Sequence, residues 1–304
     1  MTRLCDIGED ALIQRLIELV PRSLDPAAGP GDDCAVVDST PGSPTLQLLK
    51  TDALVSGIHF LPETPPKAVG WKAAARVVSD FAAMGGYPEF FLITLALPPN
   101  TLVSWAEDLY RGIGDCLLQY GGKLAGGETT SMPEGSAAVI SIAATGGVRR
   151  QNLILRSTAS PGDAVMVTGT LGGSILGKHL HFIPRIIESH WLAENYKPTA
   201  MMDLSDGLAK DLPRLASASC CGLRVDESAL PLTMGCTVSQ ALGDGEDYEM
   251  LFTISPNISQ ELLIAWHRQF PQVPLTEIGS LVEFSNGQKL TGGWEHFSSH
   301  RHGR

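Results

Sequence analysis

No apolar run in this chain is long enough to cross a bilayer. A spanning helix needs about 20 consecutive apolar residues, and the longest stretch here is the short Phe90 to Leu97. No signal-peptide pattern opens the sequence, so the expectation is a cytoplasmic protein without a membrane partner. Basic charge is also scarce: 22 Lys and Arg stand against 33 Asp and Glu, for a formal net charge of −11. Such a chain lacks the footprint of a nucleic-acid binder, which leaves small molecules as the expected partners. Cysteine pairing is missing too. Cys5, Cys34, Cys116, Cys220, Cys221 and Cys236 form no C-x-x-C spacing, and the adjacent Cys220 and Cys221 suit neither a disulfide framework nor a zinc site. All six read as reduced thiols. Finally there is no low-complexity tract, because the 32 Gly and 20 Pro are spread along the chain.

What is present fits two domains, since 304 residues exceed one average core. The polar stretch from Arg149 to Pro161, closed by the turn signal Ser160-Pro161-Gly162-Asp163, places a boundary near 150 and gives domains of 1–150 and 151–304. Apolar periodicity predicts helices near residues 10–20, 69–84, 102–119, 207–218 and 257–269. Strands are predicted at 34–37, 46–49, 90–97, 139–143, 164–167, 223–225 and 250–254. Their order lacks the regular spacing of a Rossmann sheet, so the class is α+β, with mixed helices and strands. The polar tail from Ser298 to Arg304 is expected to fray.

Carboxylates cluster with glycine at the ends of these elements. The motifs are Gly31-Asp32-Asp33, Thr51-Asp52, Asp203-Leu204-Ser205-Asp206-Gly207 and Gly243-Asp244-Gly245-Glu246-Asp247, with Glu128 in Gly126-Gly127-Glu128-Thr129-Thr130. Glycine lets backbone approach a ligand closely, and carboxylate oxygens are what hard Mg²⁺ prefers. Any one motif is an ordinary turn or cap, but caps need one Asp and not runs of two or three. Asp80 is the sharpest case, set among Val77, Val78, Phe81, Ala82 and Ala83. A carboxylate in such company must be paired or hold a cation: either Arg76 one turn earlier, or a metal. Gly172 to His179 nearly spells a P-loop, yet His179 stands where Ser or Thr is required and Pro184 forbids a long helix.

Taken in order, Gly31-Asp32-Asp33-Cys34-Ala35, Thr51-Asp52 with His59-Phe60, Ser79 to Gly85, Gly126 to Thr130, Asp203 to Gly207 and Gly245-Glu246-Asp247-Tyr248-Glu249 closely resemble the thiamine-monophosphate kinase family. That family belongs with aminoimidazole-ribonucleotide synthetase, selenophosphate synthetase and the hydrogenase-maturation ATPase. The resemblance implies an N-terminal domain whose sheet pairs with its twin across a homodimer, a C-terminal domain, and ATP in the cleft between them. It implies direct transfer of the γ-phosphoryl group of ATP to thiamine monophosphate. By motif position, Asp33, Thr51, Asp52, Asp80, Glu128 and Asp203 become Mg²⁺ ligands, with Asp206 serving a further ion. Tyr110, Gly127, Arg156 and Ser205 fall at ATP-contacting positions, and His59, Glu246 and Trp294 lie around the thiamine substrate. No residue is assigned as a general base.

Three departures qualify that picture. Glu128 stands where the family carries Asp. Lys50 replaces a small hydroxyl residue beside a metal, so its ammonium either substitutes for a cation or repels one. The segment from Gly177 to Pro184 is shorter than usual. They keep two other readings open: an ATP-dependent synthetase acting on another small molecule, and a sensor that binds nucleotide or thiamine phosphates without turnover.

Overall fold

In the computed structural model, which describes residues 2–21 and 30–297, the chain forms two five-stranded sheets with helices packed against them. The tail from Ser298 lies outside the described residues. Helix α1 (Gly8–Ile17) begins the chain and buries nothing: Ile13 and Leu16 of its apolar stripe are exposed. Strands β1 (Ala35–Val37) and β2 (Thr45–Val55) follow, then helix α2 (Pro66–Ala83), β3 (Tyr87–Leu97), α3 (Val103–Tyr120), β4 (Lys123–Ser131) and β5 (Val139–Arg149). The sheet order is β1-β2-β5-β3-β4, antiparallel except for β3 and β4, which are parallel and joined through α3.

The second half adds β6 (Ala164–Thr168), α4 (Lys178–His181), α5 (Ile186–Asn195), β7 (Ala200–Asp203), α6 (Leu208–Ala218), β8 (Cys221–Val225), α7 (Val238–Gly243), β9 (Met250–Ile254), α8 (Pro256–Gln269) and β10 (Leu275–Glu283). Its sheet runs β7-β9-β6-β10-β8, antiparallel throughout. The α+β class expected from the sequence is the one observed. Six strands or helices lay beyond the periodicity, namely β4, α4, α5, β7, α7 and β10, and β2 is much longer than the expected 46–49.

Helix α2 positions everything that follows. It starts with Pro66 in its first turn, where a missing N–H costs nothing, and stops at Gly85, whose φ of 69° suits glycine. Ala73, Ala74, Val77, Val78, Phe81 and Ala82 are buried in one core with Met201, Phe252 and Trp266 of the second half. Its contact with α3 is backbone-close. A Cβ on Gly70 would stand 1.9 Å from the Leu109 carbonyl oxygen, and one on Gly112 would stand 1.9 Å from that of Lys67. Among the described residues no helix is long and apolar enough to cross a membrane.

Candidate active site

Beyond its exposed first-turn Lys67, helix α2 is apolar except along one stripe. Lys72, Arg76, Ser79 and Asp80 follow at i, i+4, i+7 and i+8, the spacing that puts side chains on a single helix face. At 1.5 Å per residue the stripe is about 12 Å long. Lys72, Arg76 and Ser79 each engage a different acidic motif and Asp80 takes Lys50, so one helix ties together motifs scattered through the sequence.

The Asp80 end holds the carboxylate cluster. Asp33, just before β1, Asp80, and Asp203, at the end of β7, are all buried and offer oxygens within 4.8 Å of one another. Arg156 grips Asp33 through Nε to Oδ2 at 3.1 Å and Nη2 to Oδ1 at 2.5 Å, and its backbone N–H donates to Asp32 at 2.7 Å. Lys50 Nζ lies 2.7 Å from Asp80 Oδ1, and the Ser79 hydroxyl donates to Asp203 Oδ2 at 2.5 Å. Arg76, one of the two partners that the sequence left open for Asp80, is not the one it takes. Arg76 turns to Asp52, with Nε 3.0 Å from Oδ2 and Nη2 3.1 Å from Oδ1. The strand explains why: Lys50 and Asp52 share the parity of buried Leu46, Leu48 and Leu54, so both point toward α2. Burial, then the charge of Asp203, pushes the Asp80 carboxyl well above its usual range, although Lys50 opposes it. Burial and the neighbouring Asp33 push Asp203 up to about 6. Three dry, mutually repelling carboxylates are a donor set suited to a hard divalent cation, which would relieve that repulsion.

The Lys72 end is a second, separate polar nest. Lys72 is fully buried, with Nζ 2.8 Å from Glu246 Oε1, donating to the His59 carbonyl at 2.6 Å and lying 2.8 Å from His179 Nδ1. His179 Nδ1 is also 3.2 Å from Glu246 Oε2. His59 accepts the Val55 N–H on Nδ1 at 3.1 Å, and burial followed by the charge of Arg76 lowers its pKa to about 3. The ring is neutral at any physiological pH. The His59 ring centroid is 5.7 Å from that of His296, which is 6.0 Å from Trp294, so aromatic surface lines this end. The backbone here is held in the left-handed region at Gly245 (φ 71°), Glu246 (56°) and Tyr248 (51°), which costs free energy at the two non-glycine positions.

Other expected site residues lie elsewhere. Thr51 faces outward from β2, and Tyr110 is half-buried on α3. Asp206 is engaged by Arg214 at 2.6 Å and Lys210 at 3.3 Å, outside the cluster. Ser205 takes part through its backbone: its N–H donates to Asp211 at 3.0 Å and its carbonyl accepts from Glu246 N at 2.8 Å. Gly127 and Glu128 are exposed on β4, an edge strand. The register runs Ala53, Ser141, Thr94, Glu128 across the sheet, so Glu128 lies three strand spacings, about 14 Å, from β2. In the near-P-loop segment, the amides a phosphate would need are already used. Gly172 N donates to Asp247 at 3.2 Å and Gly173 N to Asp244 at 2.8 Å, while Lys178 Nζ lies on Glu249 at 3.1 Å. Sequence reasoning missed the roles of Lys72, Ser79 and His179 and offered Arg76 to Asp80 rather than to Asp52; for Lys72 and Ser79 the i, i+4, i+7 polar spacing on an apolar helix was the available signal.

Two family models match the chain: AIR synthase related protein, N-terminal domain, over residues 31–148, and AIR synthase related protein, C-terminal domain, over residues 183–269. The chain is 32% identical to the thiamine-monophosphate kinase of Synechococcus elongatus, over 98% of each chain. It is 33% identical to that of Escherichia coli K12, covering 96% of this chain and 99% of the relative. Among solved structures, AaThiL complexed with AMPPCP and TMP superposes with a TM-score of 0.82 at 31% identity, over 97% of this chain and 99% of the other.

Proposed function

Because this chain belongs to the thiamine-monophosphate kinase family, within the AIR synthase related proteins, we infer that it phosphorylates thiamine monophosphate with ATP, giving thiamine diphosphate and ADP. The observation that carries this reading is the two-ended stripe of α2. Acidic groups for a metal-bound triphosphate gather at Asp80, and a buried Lys72–Glu246 pair flanked by aromatic rings sits at the other end. The related AaThiL structure holds AMPPCP, an ATP analogue, together with TMP, which agrees with two substrates sharing one cleft.

The chemistry needs little from a base. A phosphate monoester is already largely dianionic near neutral pH, its second pKa being about 6. One of its oxygens attacks the γ-phosphorus as the bond to the β–γ bridging oxygen breaks, and ADP departs with that electron pair. Two anions must approach, so the barrier is charge repulsion. We assign the cofactor as Mg²⁺, with Asp33, Asp80 and Asp203 as its inner ligands and Asp52, Thr51, Glu128 and Asp206 as outlying candidates. When bound, Mg²⁺ supplies charge neutralisation and in-line alignment of the phosphates. Arg156, whose Nε and Nη2 are held by Asp33, adds positive charge at the same point. Tyr110, Gly127 and Ser205 belong to the nucleotide side. His59, a neutral ring, with Glu246 and Trp294, forms the thiamine side, where an indole face can stack on a cationic ring.

The same reading divides the chain into domains 1–150 and 151–304, and makes it a homodimer. Support for a dimer is the open face of the first sheet, where Leu49, Tyr87, Phe90, Leu92 and Leu124 are all exposed. A second copy on that face would also give Glu128 a metal cluster to serve, which its own chain does not. The direct test is ADP release with Mg²⁺ and a panel of phosphorylated acceptors. Release should respond to thiamine monophosphate specifically; a response to another acceptor and not to this one would favour a different synthetase of the same superfamily.

A further inference from the structure

The carboxylate cluster carries most of its own counter-charge. Arg156 lies on Asp33, Arg76 on Asp52 and Lys50 on Asp80, whereas Asp203 is held by the neutral Ser79 hydroxyl. Counting Asp52 beside the cluster, four carboxylates face three fixed cations. Two of those cations are arginines, each with two nitrogens within 3.1 Å of its carboxylate. Lys50 differs. It makes a single point contact of 2.7 Å, from the end of a stem that β2 aims inward, and its side chain is only 21% exposed. An ammonium is a compact, strongly hydrated point charge, closer to a metal ion than a guanidinium is. Its partner Asp80 has two oxygens to share with Asp33 and Asp203, and Lys50 has taken one.

We propose that the Lys50 ammonium permanently fills one cation position of this cluster, so the chain binds one divalent ion fewer than its carboxylates would otherwise hold. The inference rests on the reading of the cluster as a metal site. It identifies Lys50 as a positioning residue, acting through Asp80. Two consequences follow. The protein tolerates the loss of divalent ions, because Asp80 keeps a counter-charge without them. A shorter neutral side chain at position 50 opens a volume beside a carboxylate that then lacks its cation, and a divalent ion fills it.

The test counts Mn²⁺ bound per chain, by electron paramagnetic resonance of the free ion, with AMPPCP present and no turnover involved. K50S should bind one ion more than the unaltered protein. K50A should show the same gain, since the vacated position and not the new hydroxyl takes the ion. As a second readout, both variants should unfold at lower temperature than the unaltered protein in chelator, and Mn²⁺ should restore them by a larger shift. Equal non-zero counts in variant and unaltered protein overturn the Lys50 assignment while leaving the metal site standing. No bound ion in any of the three proteins overturns both.

Discussion

His59 shows how surroundings fix a charge that the residue type leaves open. Its imidazole accepts the Val55 N–H and is buried beside Arg76, which lowers its pKa to about 3, against an ordinary 6.5. Between those values the unfolded chain binds a proton that the folded chain does not. Stability from this group is complete above pH 6.5 and is lost as pH falls toward 3, at about 1.4 kcal/mol per pH unit. Relative to His59→Gln, the unaltered protein should lose about 2 kcal/mol between pH 6.5 and pH 5 in urea unfolding. A difference that stays flat over that range would mean the ring is protonated in the folded state. At Asp80 the expectation concerns function. Asp80→Asn should reduce turnover on the order of 100-fold and weaken Mn²⁺ binding, as loss of a metal-supporting group does. Its far-UV circular dichroism should not change, because Asn is isosteric and can still accept from Lys50. Full activity in that variant would remove Asp80 from the metal site.

Among the elements, α2 and α3 pack so closely that glycine is required on both. The carbonyls of Leu109 and Lys67 occupy the space that a Cβ on Gly70 or Gly112 would need. Gly70→Ala and Gly112→Ala should each lower stability by about 1–3 kcal/mol, as overpacking does. Calorimetry checks this, and an unchanged unfolding temperature would contradict the backbone contact. Much of α2 was readable from the sequence: the apolar face of the expected helix 69–84 and its stop at Gly85-Gly86 are local properties, whereas the first turn from Pro66 lay outside that expectation. So was β9, a continuous apolar run buried on both sides. By contrast β4 was hidden, since Lys123–Ser131 is rich in Gly and Thr and fully exposed, and it becomes a strand only by pairing with β3. Likewise β10 is interrupted at Gly279, where its register against β6 shifts. Of the site, Asp33 and Asp203 were legible because acid in a glycine-containing motif at an element end is conspicuous, and Asp80 because a carboxylate among apolar helix residues is. The Lys72–Glu246 pair was not, because it joins one buried helix to a distant loop, and no local pattern encodes that meeting.

For the whole molecule, one core runs through both halves, with α2 side chains packed among those of β7, β9 and α8. The first sheet leaves its other face open, with Tyr87, Phe90, Leu92 and Leu124 exposed. If that face joins two copies, Leu92→Glu should yield a monomer in sedimentation velocity where the unaltered protein is a dimer. Unchanged sedimentation would place the partner surface elsewhere. The carboxylate cluster, the Lys72–Glu246 nest and the family's sequence pattern converge on one reaction. Its most direct test follows the phosphorus nuclei of ATP and thiamine monophosphate by nuclear magnetic resonance as Mg²⁺ is added. The diphosphate signals of thiamine diphosphate should appear in step with those of ADP, and only when Mg²⁺ is present. No thiamine diphosphate at any Mg²⁺ concentration would contradict the assignment of this chain as a working kinase.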